Sequence, residues 1–318
     1  VGNYKSAVEP YTRQNISPES RQQTQELLND LWGNFTKSIG ASRKLTAERI
    51  KEVTEKQAVV EAQEALKTKL VDNVGYFDEL ADDLSKETGK DKKDRSFRQI
   101  SLQDYADLDI KSAEKESSDR KIAILYAEGE IVSGKGGIQE VGSDRFVKAL
   151  RKLREDSKVK AVVLRINSPG GSATASEEIL REVLLTRKQK PVIVSMGDYA
   201  ASGGYWIATG GDYIFAQEGT ITGSIGVFGL LPNIEKIAKN NGITADVVKT
   251  SPFADLKSIV RAKTPLELAI YQKSVDKVYN LFLDKVAEAR NISKNKVNQI
   301  AQGRVWSGHN AKKIGLVD

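Results

Sequence analysis

Apolar residues recur along this chain with two different periods, and the change between them falls near residue 120. Ser17-Pro18-Glu19 is a helix start, a cap followed by proline at the first helical position. Leu27, Leu28, Leu31, Trp32, Phe35 and Ile39 follow at helical spacing. Thr46 is placed to cap another helix, and Phe77 to Leu84 closes a mostly helical region, 1–84. Residues 85–118 are highly charged and carry little apolar material beyond Phe97, Ile100 and Leu102, which predicts a connecting segment over the surface. Beyond it, short β-rich runs appear at Lys121–Ala127, Ala161–Ile166, Val192–Met196, Tyr213–Ala216, Ile225–Phe228 and Ala245–Val248. Helical stretches near 143–155, 173–188, 199–209 and 231–241 lie between most of them. Strands alternating with helices predict an α/β domain over 119–318 with a largely parallel sheet. A long amphipathic helix from about Pro265 to Ala289 and a shorter one after Ser293 complete it.

The two regions end alike. At an offset of 247 positions, Ser17-Pro18 meets Thr264-Pro265, Trp32 meets Tyr279, Phe35 meets Phe282, Ile39 meets Val286 and Arg43 meets Arg290. With a one-residue gap, Ala65 and Leu70-Val71-Asp72 meet Ala311 and Leu316-Val317-Asp318. Two amphipathic helices can look alike by chance. A true repeat places Val1 opposite Val248, so the chain is expected to begin inside a first repeat whose sheet is missing. It is then a fragment at both ends, and a membrane anchor is expected in a segment upstream.

Composition narrows the chemistry. With 318 residues, 39% hydrophobic and 29% charged, the chain is an ordinary globular one. No apolar run reaches the roughly 18–20 residues needed to cross a bilayer. The net charge of +6 comes from basic residues interleaved with acids, as from Lys90 to Arg95, which is a solvated pattern and argues against nucleic acid. There is no cysteine, so thiol catalysis and thiolate metal sites are excluded, and the single histidine, His309, excludes a multi-imidazole zinc site. A nucleophilic hydrolase here must use His309 or manage without histidine. His309, in Trp306-Ser307-Gly308-His309-Asn310, reads as an exposed residue at a capped helix start.

Four segments could carry chemistry. Asn167-Ser168-Pro169-Gly170-Gly171-Ser172 follows a strand and turns into a helix, leaving backbone N–H groups outward for a phosphate or an oxyanion, or simply making a tight turn. It has no Walker lysine and no G-x-G-x-x-G pattern. Ala200-Ala201-Ser202-Gly203-Gly204 sets an exposed hydroxyl among small residues at a helix start, where it could be a nucleophile or a plain helix cap. No G-x-S-x-G elbow is present. Thr222-Gly223-Ser224-Ile225-Gly226 is a β-turn or a second hydroxyl beside a base. In Tyr4-Lys5-Ser6-Ala7-Val8-Glu9-Pro10, Lys5 could act as a base only if burial lowered its pKa by about 2–3 units.

Taken together, these segments resemble the signal peptide peptidase A (protease IV) family of the ClpP/crotonase superfamily, in its double-length form. The resemblance covers nearly the whole chain and is weakest across 85–120. It implies a ClpP/crotonase-like α/β domain, 119–318, preceded by the helical tail of a truncated first repeat, 1–84, which carries the lysine. It implies Ser202 as nucleophile, Lys5 as general base, Ser224 as the lysine's hydrogen-bond partner, and an oxyanion site of backbone N–H groups around Gly170, Gly171 and Gly203. Neither metal nor cofactor is implied. The implied activity is a serine endopeptidase that degrades cleaved signal peptides and other hydrophobic peptides at a bacterial inner membrane or a thylakoid, as a homo-oligomer, a tetramer by kinship. The second copy has Pro252, or Ser251 with a one-residue slip, where the first has Lys5, so base and nucleophile are expected to be divided between the halves. A crotonase-like acyl-CoA enzyme and a non-catalytic oligomeric scaffold are the alternatives.

Overall fold

The computed structural model describes residues 1–56, 59–89, 97–106 and 119–318. They form two compact units, one of Val1–Leu31 with Arg120–Asp318 and one of Trp32–Asp119.

The larger unit holds eight described strands: β1 (Lys121–Glu128), β2 (Glu130–Val132), β3 (Glu140–Gly142), β4 (Val159–Ser168), β5 (Val192–Ala201), β6 (Tyr213–Phe215), β7 (Ile221–Gly223) and β8 (Val305–Ser307). The main sheet runs β1-β4-β5-β7-β8, with β6 also on β5, and β2-β3 form a small parallel pair. Every pairing is parallel except β7 with β8. Alternation along β4 and β5 sends Val162, Leu164, Ile166, Val192, Val194 and Met196 into the core, where they join Leu150, Ile179 and Val183 from the helices Ser143–Glu155 and Ala173–Arg187. Each such aliphatic side chain contributes about 1.5–3 kcal/mol on burial. Ile122, Ile124 and Tyr126 of β1 alternate with these inward positions and are exposed.

Most of the predicted strands and helices stand where the pattern places them, with four differences, one being that the helix expected near 231–241 covers only Glu235–Asn240. Ile225–Phe228 is not a strand: Ile225 is fully buried, but its carbonyl accepts a single bond from Gly303 N rather than joining a ladder. Ala245–Val248 is not a strand either; Val247 and Val248 are exposed. The helix expected over 199–209 begins only at Gly203, because β5 continues to Ala201 and is paired with β7 there. Between Ile166 and Ser168, β4 advances two residues while β5 advances from Met196 to Ala200. This bulge is held by Asn167, whose Oδ1 accepts from the N–H groups of Asp198 and Tyr199. It sets the direction in which β5 delivers Ser202.

The smaller unit is helical: the rest of Pro18–Arg43, then Ala47–Lys56, Ala62–Lys67 and Phe77–Thr88. Much of the predicted 85–118 connection, Lys90 to Arg95 included, lies outside the described residues.

The sequence offset recurs in the bonding. Pro18–Arg43 and Pro265–Arg290 are both 26 residues long and are followed by residues in the left-handed region, Lys44 (φ 54°) and Asn291 (φ 52°). Arg43 forks onto both oxygens of Asp72 at 2.8 Å and gives its Nε–H to Lys69 O. Arg290 forks onto Asp318 at 3.0 and 2.7 Å and gives its Nε–H to Gly315 O. The environments differ, however. Tyr279 and Phe282 are 6% and 1% exposed, whereas their counterparts Trp32 and Phe35 are 44% and 57% exposed.

Candidate active site

Ser202 sits between the end of β5 and the helix Gly203–Ala208, with φ 53° and ψ −119°. A non-glycine residue rarely adopts a positive φ, and the strain is held here by the neighbouring backbone. Ser202 N–H donates to Gly223 O at the end of β7, and Trp206 N–H returns to Ser202 O as the helix opens. The serine hydroxyl caps no backbone N–H, so it remains available.

Lys5 reaches this turn from far away in sequence. Its Nζ lies 3.2 Å from Ser202 Oγ, 2.8 Å from Ser224 Oγ and 3.0 Å from Ser224 O. A neutral amine has two N–H donors and one lone pair. In that neutral form the two Ser224 oxygens could take both hydrogens, which would leave the lone pair for the Ser202 O–H; as the ammonium, Nζ donates to Ser202 Oγ as well. Burial pushes the Lys5 pKa down to about 8, and no carboxylate pairs with it among the described residues. Ser224 is itself fixed, at φ 51°, by its N–H bond to Arg304 O at 2.7 Å.

Three glycines set the opposite wall. A Cβ on Gly170 would fall 2.4 Å from Gly203 N and 2.8 Å from Ser202 Cβ, and one on Gly203 would fall 3.2 Å from Gly171 N. The loop and the serine turn therefore touch backbone to backbone, which only glycine allows. Gly170 N–H is engaged by Ser168 Oγ at 3.2 Å. Gly171 and Gly203 N–H have no protein acceptor among the described residues. The open donors are thus this pair, and Gly170 acts as the spacer that brings them together.

Cavities open on both sides of Ser202. One, of about 360 Å³, is lined by Trp206, Phe282, Val227, Phe228 and Ala173. The other, of about 480 Å³, is lined by Lys5, Ser224, Gln23 and Tyr4. Trp206 stacks on Phe282 at 4.5 Å between ring centroids and donates its indole N–H to Glu177. The first cavity thus has an apolar wall of aromatic rings beside the serine, with Glu130 and Ser172 also in its lining.

The structure brings Lys5, Ser202, Ser224, Gly170, Gly171 and Gly203 into one place. His309 is exposed at the start of the helix Gly308–Lys313, with its backbone N–H on Glu218 O. Sequence reasoning missed the residues that hold the lysine segment. Gln23, 4% exposed, gives its amide N–H to Tyr4 O at 2.8 Å and takes Val305 N–H at 3.2 Å. Tyr4 N–H donates to Gln302 O, and the Arg304 guanidinium lies over the Tyr4 and Trp306 rings and pairs with Glu26. No local spacing announces these contacts. They join residues 4–6 to a segment about three hundred positions away.

The sequence profile of Peptidase family S49 matches residues 1–91 and 185–318. The chain belongs to that family. The Clp protease profile matches residues 113–218, the stretch containing β1 to β6. Protease 4 of Salmonella typhi is 39% identical over 328 residues, covering 100% of this chain and 52% of that protein. The chloroplastic serine protease SPPA of Arabidopsis thaliana is 32% identical, with 100% of this chain and 47% of that protein covered. A solved ClpP1 variant from Listeria monocytogenes superimposes at a TM-score of 0.42 with 18% identity, covering 61% of this chain and 88% of that one. The chain spans about half the length of the curated relatives it matches.

Proposed function

We propose that this S49 chain is the catalytic portion of a serine endopeptidase in which Lys5 activates Ser202. The observation that carries the reading is the Lys5 amine, desolvated, 3.2 Å from Ser202 Oγ with both of its hydrogens accommodated by Ser224. Neutral Lys5 takes the Ser202 proton as Oγ bonds to the scissile carbonyl carbon. The resulting oxyanion accepts from Gly171 and Gly203 N–H. As the C–N bond breaks, the Lys5 ammonium gives its proton to the leaving amine, and an acyl-enzyme remains. Lys5 then deprotonates the water that attacks the ester, and the proton returns to Ser202.

On this reading residues 1–84 are the end of a first repeat and 119–318 a second, with 85–118 between them. The substrates are cleaved signal peptides and other hydrophobic peptides, and the Trp206–Phe282 cavity suits an apolar side chain next to the scissile bond. The place of action is a membrane, a bacterial inner membrane or a thylakoid, and the working form is a homo-oligomer, a tetramer. No described helix is long and apolar enough to cross a membrane.

Fluorophosphonate labelling with mapping of the adduct tests the dyad. The adduct is expected on Ser202, and Lys5→Ala is expected to label on the order of 10²-fold more slowly or worse. A Ser202→Ala variant that keeps its full peptidase rate sinks the reading. Tight coenzyme A binding without labelling would favour acyl-CoA chemistry instead.

A further inference from the structure

The helix Ala173–Arg187 runs behind the Trp206–Phe282 cavity. Its first residue, Ala173, lines the cavity, and Glu177, one turn on, lines neither cavity beside Ser202. Glu177 holds the aromatic wall from outside instead. Its Oε2 accepts from the Trp206 indole N–H at 3.0 Å, and its Oε1 pairs with Lys285 Nζ at 2.8 Å. Lys285 stands three residues after Phe282 on the helix Pro265–Arg290. One carboxylate therefore ties both rings of the wall, Trp206 directly and Phe282 through the next turn of its helix.

The tie starts from a fixed point. Ser176, beside Glu177, gives its hydroxyl to Ser172 O at 2.9 Å, and a Cβ on Gly203 would fall 2.5 Å from Ser176 Oγ. The helix is thus pressed against the serine turn, and Glu177 keeps a set position relative to Ser202. Trp206 and Phe282 are 2% and 1% exposed. The indole N–H is a buried donor, and its acceptor among the described residues is Glu177. Buried donors are rarely left unpaired. Without Glu177 the ring is expected to turn its N–H towards the cleft, where water and substrate offer acceptors.

We infer that Glu177 is a positioning residue that sets the width of this cavity, and with it the size of apolar side chain accepted next to the scissile bond. Holding the indole N–H outward leaves the ring faces towards the substrate. A wall fixed in this way tells side chains apart by roughly tenfold or more per methylene, whereas a ring free to turn makes room for several sizes. The inference deepens the serine peptidase reading and rests on it, because attack by Ser202 is what makes this cavity a side-chain pocket.

Peptide esters that differ only in carrying alanine, valine, leucine or phenylalanine at the acyl residue test it on the full 318-residue chain. The ratio of kcat/KM between the best and the poorest ester does not depend on the active fraction, so a merely structural loss leaves it unmoved. Glu177→Leu is expected to lower that ratio about tenfold, chiefly through KM, with fluorophosphonate labelling of Ser202 within about twofold of wild type. Glu177→Gln keeps an acceptor for the indole and is expected to hold the ratio within about twofold. Trp206→Phe removes the N–H from the other side and is expected to reproduce the Glu177→Leu loss, with the double variant adding nothing to it. It carries the same test should Glu177→Leu fail to fold in a circular dichroism melt. Calorimetric binding of acetylated peptides ending in the same four residues to the Ser202→Ala chain reads the cavity without chemistry. If wild-type Ser202 does not label, the peptidase reading falls, and the binding ratios still decide the role of Glu177. An unchanged ratio in a folded Glu177→Leu chain that labels normally overturns the inference. So does a glutamine variant that loses discrimination equally, and so do additive effects of Trp206→Phe and Glu177→Leu.

Discussion

Gly303 lies so close against Lys5 that a methyl group on its Cα would fall 2.5 Å from Lys5 Cβ and 2.8 Å from Lys5 N. Gly226 packs against Gly303 itself, and an added Cβ there would fall 2.6 Å from Gly303 Cα and 3.2 Å from Lys5 Cδ. The lysine stem lies along two adjoining glycines, and this close backbone packing helps strip water from the amine.

Gly303→Ala is therefore expected to displace the lysine backbone. Gly303 has φ 75°, so alanine also costs about 1–2 kcal/mol of backbone strain. The expected result is a fall in kcat/KM on the order of 10²-fold, because an ångström of misplacement is that costly to proton transfer. Steady-state rates on a peptide ester, corrected for the folded fraction from a thermal melt, check it. Retention of more than about a third of the activity would mean the close approach of Gly303 to Lys5 is not required.

The pH dependence follows from the lowered Lys5 pKa. Only the neutral amine can accept the Ser202 proton, so kcat/KM is expected to rise as pH increases through about 8 and to level above it. At pH 7 about one molecule in ten carries the neutral form. A rate profile from pH 6 to 10 on wild type and Lys5→Ala measures this, and a flat wild-type profile would remove Lys5 as the base.

The same shift makes a stability statement. Unfolded Lys5 titrates near 10.5 and folded Lys5 near 8, so between these values the unfolded chain holds the extra proton and stability rises with pH. Below about 8 the burden of burying the ammonium is fully present, at about 3 kcal/mol. Lys5→Met, which keeps the stem without the charge, is expected to melt higher than wild type at pH 6–7. The gain should fade as pH rises from about 8 towards 10.5. Differential scanning calorimetry across that range shows whether it does.

How much of this could be read beforehand depends on how local each signal is. The long runs that form β4 and β5 carry enough alternating or apolar residues to be recognised, and so do the helices between them. β2, β3, β7 and β8 are three residues each, too short for any period, and they pair only because a distant segment arrives beside them. Ile225–Phe228 reads as a strand because burial and strand formation both select β-branched residues, yet at Ile225 only burial applies. At the candidate site, Ser202 and the Gly170-Gly171 turn have local signatures with ordinary structural readings. Lys5 has none, and it was singled out by resemblance. The strain at Ser202 and Ser224, and the engagement of Gly170 N–H by Ser168, are properties of tertiary contacts and leave no trace in spacing.

Gln23 shows the last point most clearly, and its role can be measured. Its amide joins Tyr4 O to Val305 N, and it reaches Ser6 Oγ at 3.4 Å, so it ties down both residues flanking Lys5. The charged groups around that segment are Glu130 across the cleft, the Arg304–Glu26 pair, and the Val1 amine on Val227 O with Asp276 near it, none of them bonded to Nζ. Burial, then, rather than a neighbouring charge, holds the amine near 8, and loosening the segment should let water return to it. Gln23→Ala is expected to move the rising limb of the rate profile upward by about a unit, losing about tenfold in rate at pH 7 while approaching the wild-type rate near pH 10. Gln23→Glu keeps the acceptor for Val305 N and loses the donor to Tyr4 O, so it is expected to show the same shift with a smaller loss of stability. A purely structural glutamine would lower the melting temperature and the active fraction without moving the limb. An unmoved limb in both variants, with the wild-type limb present near 8, would leave Lys5 as the base and remove Gln23 from its positioning.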